Sequence, residues 1–216
     1  MPRTKGKTPL SEDRIVRAAV TYADDHGLDS LNVRRLARQL NAGAMSLYHY
    51  FASKDALLDA MVEWVAAQIP QPEADVGWQE AITQIAMGAN AVMTRHPWVC
   101  SIWSKQTLGP NKLAYLEAIL RVLREAGFSV DDARDAYCAI TVHIEGFALQ
   151  AAEFPIKPED FQSAAVDYLA SIEEAESIPY FVELVQRQID HPSAADPFAM
   201  VLVMILDGFE ARVSSD

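Results

Sequence analysis

VRRLARQLNAGAMSLYHYFASKDALLDAM, residues 33–61, is the stretch on which the reading of the chain turns. Val33, Leu36, Ala37 and Leu40 recur at helical spacing behind Asn32, a residue suited to an N-cap. The pattern stops at Asn41-Ala42-Gly43, where both Asn and Gly tolerate positive φ. Leu47 and Phe51, four apart, form the inner stripe of a second short helix, and Ser53 caps a third that runs from Lys54 towards Ile69. With Leu47 and Phe51 turned inward, Ala44, Met45, Ser46, Tyr48, His49 and Tyr50 fall on outer and flanking faces with little apolar surface to cover them. Two short helices joined by a tight turn and resting on a longer one form a helix-turn-helix unit, whose second member can lie in the major groove.

The longer helix lies just upstream. Ile15, Ala18, Ala19 and Tyr22 repeat at i, i+3, i+4 and i+7 behind Ser11, with Glu12 and Asp13 in the first turn, and His26-Gly27 ends the pattern. Charge divides in the same place. The whole chain carries a net charge of −12, yet residues 1–54 hold nine Lys or Arg against five Asp or Glu, and the remainder nine against twenty-five. The one basic part of the chain is therefore the part that carries the helix-turn-helix pattern, including an arm with Arg3, Lys5 and Lys7.

Downstream the spacing stays helical and no segment alternates with period two, so the fold class is all-α. Helices are expected at Trp78 to Arg95, Asn111 to Ala126, Ser129 to Phe154, Ser163 to Glu174, Pro179 to Ile189 and Pro197 to Val213. The helices about 131–154 and 197–213 are apolar on more faces than one subunit covers, which suits a four-helix dimer interface; a wholly intramolecular core is the alternative. Residues 1–58 read as a DNA-binding domain with its basic arm, and 59–216 as a bundle for ligand binding and dimerisation. No apolar run approaches the ~20 residues that span a bilayer, and no apolar stretch follows the basic start, so a cytoplasmic location is expected. Cys100 and Cys138 stand singly in apolar contexts and read as reduced core thiols. Paired Glu-x-x-His motifs for a di-iron centre are absent, as is Gly-x-Ser-x-Gly, so no enzymatic activity, metal or cofactor is expected.

Base edges are read by hydrogen bonds and by apolar contact with the thymine methyl, whereas phosphates accept from hydroxyls and cations. Ala44 and Met45 suit methyl contacts and His49 a base edge; Ser46, Tyr48, Tyr50 and Lys54 suit phosphates. The competing reading makes Tyr48 and Tyr50 packed core aromatics and Lys54 a solvated charge.

The quoted stretch resembles the helix-turn-helix signature of TetR-family transcriptional regulators, through Leu36-Ala37, Leu47-Tyr48, Phe51, Lys54 and Leu57-Leu58. That resemblance implies phosphate contacts from Ser46, Tyr48 and Lys54, and base contacts from Arg34, Ala44, Met45 and His49. The chain departs from the pattern at Asn41, Gly43 and Tyr50. Residues 78–213 are more loosely similar to the tetracycline-repressor-like C-terminal domain, in Trp98, LGPNKLAYLEAILRVLREAGFS (108–129), Gly146 and DPFAMVLVMILDGFEARV (196–213). The resemblance implies a homodimer that binds a palindromic double-stranded DNA operator, most simply as a repressor, and is released by a small-molecule effector. Candidate effector contacts are Trp98, Trp103, Tyr137, His143, Phe147 and Gln150. Where tetracycline-binding members hold a metal-chelated drug with a His and a Glu, this chain has Trp103 and Gln150, so the effector is expected to be metal-free and apolar or aromatic. His143 or Glu145 is a possible polar handle for it, with Glu145 equally suited to the dimer interface.

Overall fold

Each helix of the N-terminal third starts on a side chain that the sequence supplies for it. In the computed structural model, which describes residues 9–154, 160–172, 175–191 and 196–213, helix α1 spans Glu12–His26. The Ser11 hydroxyl accepts from the Arg14 amide at 3.3 Å, and Gly27 leaves the helix at φ +78°. Helix α2, Val33–Gln39, begins on Asn32, whose side-chain oxygen accepts from the Arg34 amide at 2.9 Å. Helix α4, Lys54–Ala66, begins on Ser53, which accepts from Ala56 at 3.1 Å. Between them α3 is only Ala44–Tyr48. In the turn before α3, Asn41 takes the left-handed conformation at φ +54° while Gly43 sits at φ −78°, so Asn41 alone uses the freedom expected of both. Phe51 lies past the end of α3, although its amide still donates to Leu47 at 3.0 Å and its ring still packs on the core. Ile15, Leu36, Leu47 and Leu57 are buried together and hold the three-helix head in one piece.

The body comprises α5 (Trp78–Arg95), α6 (Pro110–Glu125), α7 (Val130–Glu153), α8 (Phe161–Ser171), α9 (Pro179–Asp190) and α10 (Pro197–Val213). Ser129 caps α7 through the Asp132 amide at 3.0 Å. Helix α7 is central and packs on α5, α6 and α10, whereas α8 and α9 pair chiefly with each other. Short 3-10 turns at Leu28–Ser30 and Ala175–Ser177 carry no sequence signal of the kind that marks the helices.

The head is joined to the body at two polar seams. Helix α4 packs on both α1 and α6. From α4, Asp59 accepts from the Thr107 amide and hydroxyl at 3.0 and 3.1 Å, and Glu63 accepts from the Asn111 and Lys112 amides at 2.8 and 3.0 Å. Glu63 thereby satisfies free amides at the start of α6. It comes so close to Gly109 that a Cβ there would strike its carboxyl and push Glu63 off these amides.

The second seam runs from α1 to the 3-10 turn Pro97–Val99. One oxygen of Asp24 accepts from His96 Nδ1 at 2.9 Å and from the Trp98 indole at 2.7 Å. His96 is 4% exposed, and among the described residues its Nε2 has no hydrogen-bond partner. Asp24→Ala would strip two buried N–H groups of their acceptor and is expected to destabilise the protein by about 2–4 kcal/mol. A urea titration checks this; a loss below ~1 kcal/mol would mean that the freed groups are hydrated.

Candidate nucleic-acid interface and ligand site

Helix α3 divides its side chains sharply. Leu47 is buried, and the neighbouring Met45 is 73% exposed. Tyr48, His49 and Lys54 are exposed beside it, Ser46 and Ala44 are half-buried, and Arg34 is exposed in the first turn of α2. The division follows from the period of the helix: Leu47 and Ala44 sit on the side that meets the core, and the rest cannot. The Tyr48 ring lies along a crevice shared with Ile15, Val33 and Phe51, which steadies the ring while the side chain stays exposed. Tyr50 differs from its neighbours, because its hydroxyl donates to the Leu10 carbonyl at 2.8 Å. The free phosphate donor expected at Tyr50 is therefore already engaged within the head.

The six residues expected to meet a ligand separate into groups. Trp98 belongs to the seam with Asp24, its one polar atom committed there. Gln150 is exposed on α7. His143 and Phe147 tie α7 to α10: His143 Nε2 donates to the Phe198 carbonyl at 3.0 Å, its ring stacks on Phe198 at 4.5 Å, and Phe147 meets Phe198 edge-on at 5.3 Å. Trp103 and Tyr137 come together around Tyr115 and Glu145. Trp103 meets Tyr115 edge-on at 5.8 Å, and the buried Lys112 ammonium lies 5.2 Å from the Trp103 ring centre while donating to the Trp103 and Gln106 carbonyls.

Electrostatics orients this second group. Burial raises the Glu145 carboxyl above its ordinary range, opposed by the nearby Lys112 charge. Burial lowers the Lys112 ammonium, opposed chiefly by Glu145 and then by Glu63 and Asp59. Burial and then Glu145 raise the Tyr137 phenol and push the Cys100 thiol up to about 11. Glu145 is half-buried at the edge of the exposed stripe formed by Val142, Leu149 and Cys138, the last of which was expected in the core, and it lies near enough to Lys112 of α6 for the two charges to act on each other. Among the described residues its carboxyl makes no hydrogen bond. His143, by contrast, has the Phe198 carbonyl as its partner. Sequence reasoning passed over Tyr115, whose only signal was an aromatic on the inner stripe of α6, and Asn90 on α5, whose side-chain oxygen is buried with no partner among the described residues. Among the described residues no group of three His, Cys, Asp or Glu could hold a metal ion, and no helix is long and apolar enough to cross a membrane.

Residues 15–61 match the family described as bacterial regulatory proteins, tetR family, and residues 69–213 match the tetracyclin repressor-like C-terminal domain. The transcriptional repressor DrrR1 of Streptomyces coeruleorubidus is 32% identical over 223 residues, covering 99% of this chain and 82% of that one. Apo ActR from Streptomyces coelicolor superposes with a TM-score of 0.76 at 28% identity over 97% of this chain and 99% of that one. ActR in complex with actinorhodin gives 0.74 at 29%, over 95% and 99%. BioQ with its double-stranded DNA operator gives 0.59 at 27%, over 76% and 100%.

Proposed function

We propose that this chain, which belongs to the tetR family of bacterial regulatory proteins, represses transcription by binding a near-palindromic operator as a homodimer, and leaves the operator when a small apolar or aromatic effector enters its body. The observation that carries the reading is the two-faced α3, with Leu47 buried and Met45, Tyr48 and His49 presented beside Lys54 in the one basic part of an acidic chain. Such a face has the chemistry of base and phosphate contacts, and the acidic remainder repels DNA, which leaves the heads to orient the dimer. Residues 1–58 supply this function and 59–216 the response to effector. A protein reading chromosomal DNA works in the cytoplasm.

Within the body, Trp103, Tyr137 and Tyr115 supply aromatic walls and Glu145 the polar handle, while His143 and Phe147 join the site to α10. The seams at Asp59, Glu63 and Asp24 offer a route from there to the heads, since any shift of α6 or of the 97–99 turn moves residues bonded to α4 or α1. Effector must favour the non-binding state by ~1–3 kcal/mol for the switch to work.

The test is a fluorescence-anisotropy titration of the wild type with a labelled duplex from the region upstream of its own gene, between 50 and 200 mM salt as round figures of about that order. Affinity is expected to fall by about 10³-fold across that range. A near-flat salt dependence, or no preference over scrambled duplex, contradicts the reading.

A further inference from the structure

Lys112 of α6 and Glu145 of α7 carry opposite charges near enough to act on each other, yet among the described residues they make no ion pair. Lys112 is 3% exposed, and its ammonium donates to the Trp103 and Gln106 carbonyls. An ammonium carries three donors, so one is left over. The half-buried Glu145 carboxyl accepts no hydrogen bond among the described residues. Glu63 and Asp59, the other carboxylates that act on Lys112, are committed to the amides of Asn111, Lys112 and Thr107. Aromatic groups gather at the same place. The Trp103 ring centre lies 5.2 Å from the ammonium, Tyr115 meets Trp103 edge-on at 5.8 Å, and the Glu145 charge acts on the half-buried Tyr137 phenol. Lysine is almost never so deeply buried unless it is paired, and perturbed charges gather at functional sites.

The two charges together decide what can complete them. An anionic group is drawn to Lys112 and repelled by Glu145, and a cationic group meets the opposite conflict. A neutral hydroxyl accepts from the ammonium, donates to the carboxylate and is repelled by neither. We propose that Lys112 and Glu145 are the specificity-determining residues for the effector, and that they select a neutral aromatic molecule whose hydroxyl bridges them while its ring lies against Trp103 and Tyr137. A hydrocarbon of the same shape is rejected, because it would bury both polar groups without pairing them. This inference rests on the reading above that an effector enters the body at these aromatics.

Four probes that share one ring system and differ at the head group test it: naphthol, methylnaphthalene, naphthoate and naphthylmethylammonium. Each is titrated calorimetrically into the full chain as wild type, as Glu145→Gln and as Lys112→Met. Naphthol is expected to bind the wild type at least about tenfold more tightly than any other probe. Glu145→Gln leaves the Lys112 charge unopposed and is expected to turn the preference towards naphthoate by about tenfold. Lys112→Met leaves the Glu145 charge and is expected to turn it towards naphthylmethylammonium. A merely structural role would weaken all four probes alike without exchanging their order. Should Lys112→Met fail to fold, Glu145→Gln decides, since that side chain is only half-buried and keeps its size. Failure of naphthol to bind the wild type, equal binding of naphthol and methylnaphthalene, or an unchanged order in Glu145→Gln overturns the proposal. A labelled duplex from upstream of its own gene, titrated with and without saturating naphthol, separates the two levels: naphthol that binds in the expected order but leaves the duplex bound refutes release by effector, while the head-group selection stands.

Discussion

The double substitution Tyr48→Phe, Lys54→Ala is expected to weaken operator binding at least a hundredfold while leaving the fold intact. Both side chains are exposed, and neither takes part in a cap or in one of the two seams. Phe at position 48 keeps the ring that lies in the crevice with Ile15, Val33 and Phe51, so the change there is confined to the hydroxyl. In a dimer the two substitutions remove four phosphate contacts. A hydrogen bond to a charged group contributes about 1.5–3 kcal/mol, and the loss of half of that sum already exceeds 2.8 kcal/mol, which is a hundredfold. Phosphate contacts carry no sequence information, so the loss should fall almost equally on the operator and on near-cognate duplexes, and the salt slope should drop by about 2 for the two lysines. Substituting His49 or Met45 should do the reverse and alter preference among duplexes more than overall affinity. Anisotropy titrations with intact thermal unfolding check both halves; a loss smaller than about fivefold would remove Tyr48 and Lys54 from the interface.

Local chemistry was legible in the sequence, and pairing across the fold was not. Asn32 and Ser53 read as caps and each accepts a first-turn amide, as Ser11 and Ser129 do at their helices, because a cap is settled within three residues of chain. Helix ends blur for the same local reason: the Leu47–Phe51 spacing is that of a helical turn, yet α3 closes at Tyr48 while the Phe51 amide still reaches Leu47. What periodicity cannot say is which residue a given face will meet. Trp98 was read as a lining residue for a ligand, and nothing near it in the sequence showed that Asp24, 74 positions earlier, would accept from its indole. Tyr50 was a reasonable phosphate donor until Leu10 claimed its hydroxyl. Glu145 sat between pocket and interface in the sequence, because α7 is apolar nearly all round and no stripe marks its inside; its half-buried place near the Lys112 charge depends on a different helix. Buried polar residues are where sequence reading goes astray, since each must be matched by a partner that may come from any part of the chain.

The exposed apolar face of α7 and α10 carries the other large expectation. Val142 is 70% exposed on α7, with Leu149 two turns on, and Met204 is 62% exposed on α10, flanked by Met200, Val201 and Val203. The stacking of His143 and Phe147 on Phe198 holds these helices side by side, which brings two exposed apolar stripes onto neighbouring helices. A single subunit has no use for so much exposed apolar side chain, and a twofold axis through it would build a four-helix interface from two copies. Val142→Asp with Met204→Asp is therefore expected to give a monomer. Burying a Val or Met side chain is worth about 1.5–3 kcal/mol, and the symmetry counts each of the two positions twice, so roughly 6 kcal/mol or more is lost before any repulsion among four carboxylates held near the axis. That corresponds to a dimer dissociation constant raised at least about 10⁴-fold, well within reach of sedimentation velocity. The variant subunit should keep its helical circular dichroism, because both positions face out of it. It should also lose the operator: two heads joined in one body bind the second half-site at high effective concentration, and a lone head has only its own contacts. A variant that stays dimeric would place the interface elsewhere, and one that is monomeric but binds the operator as tightly as the wild type would show that the half-sites are read independently.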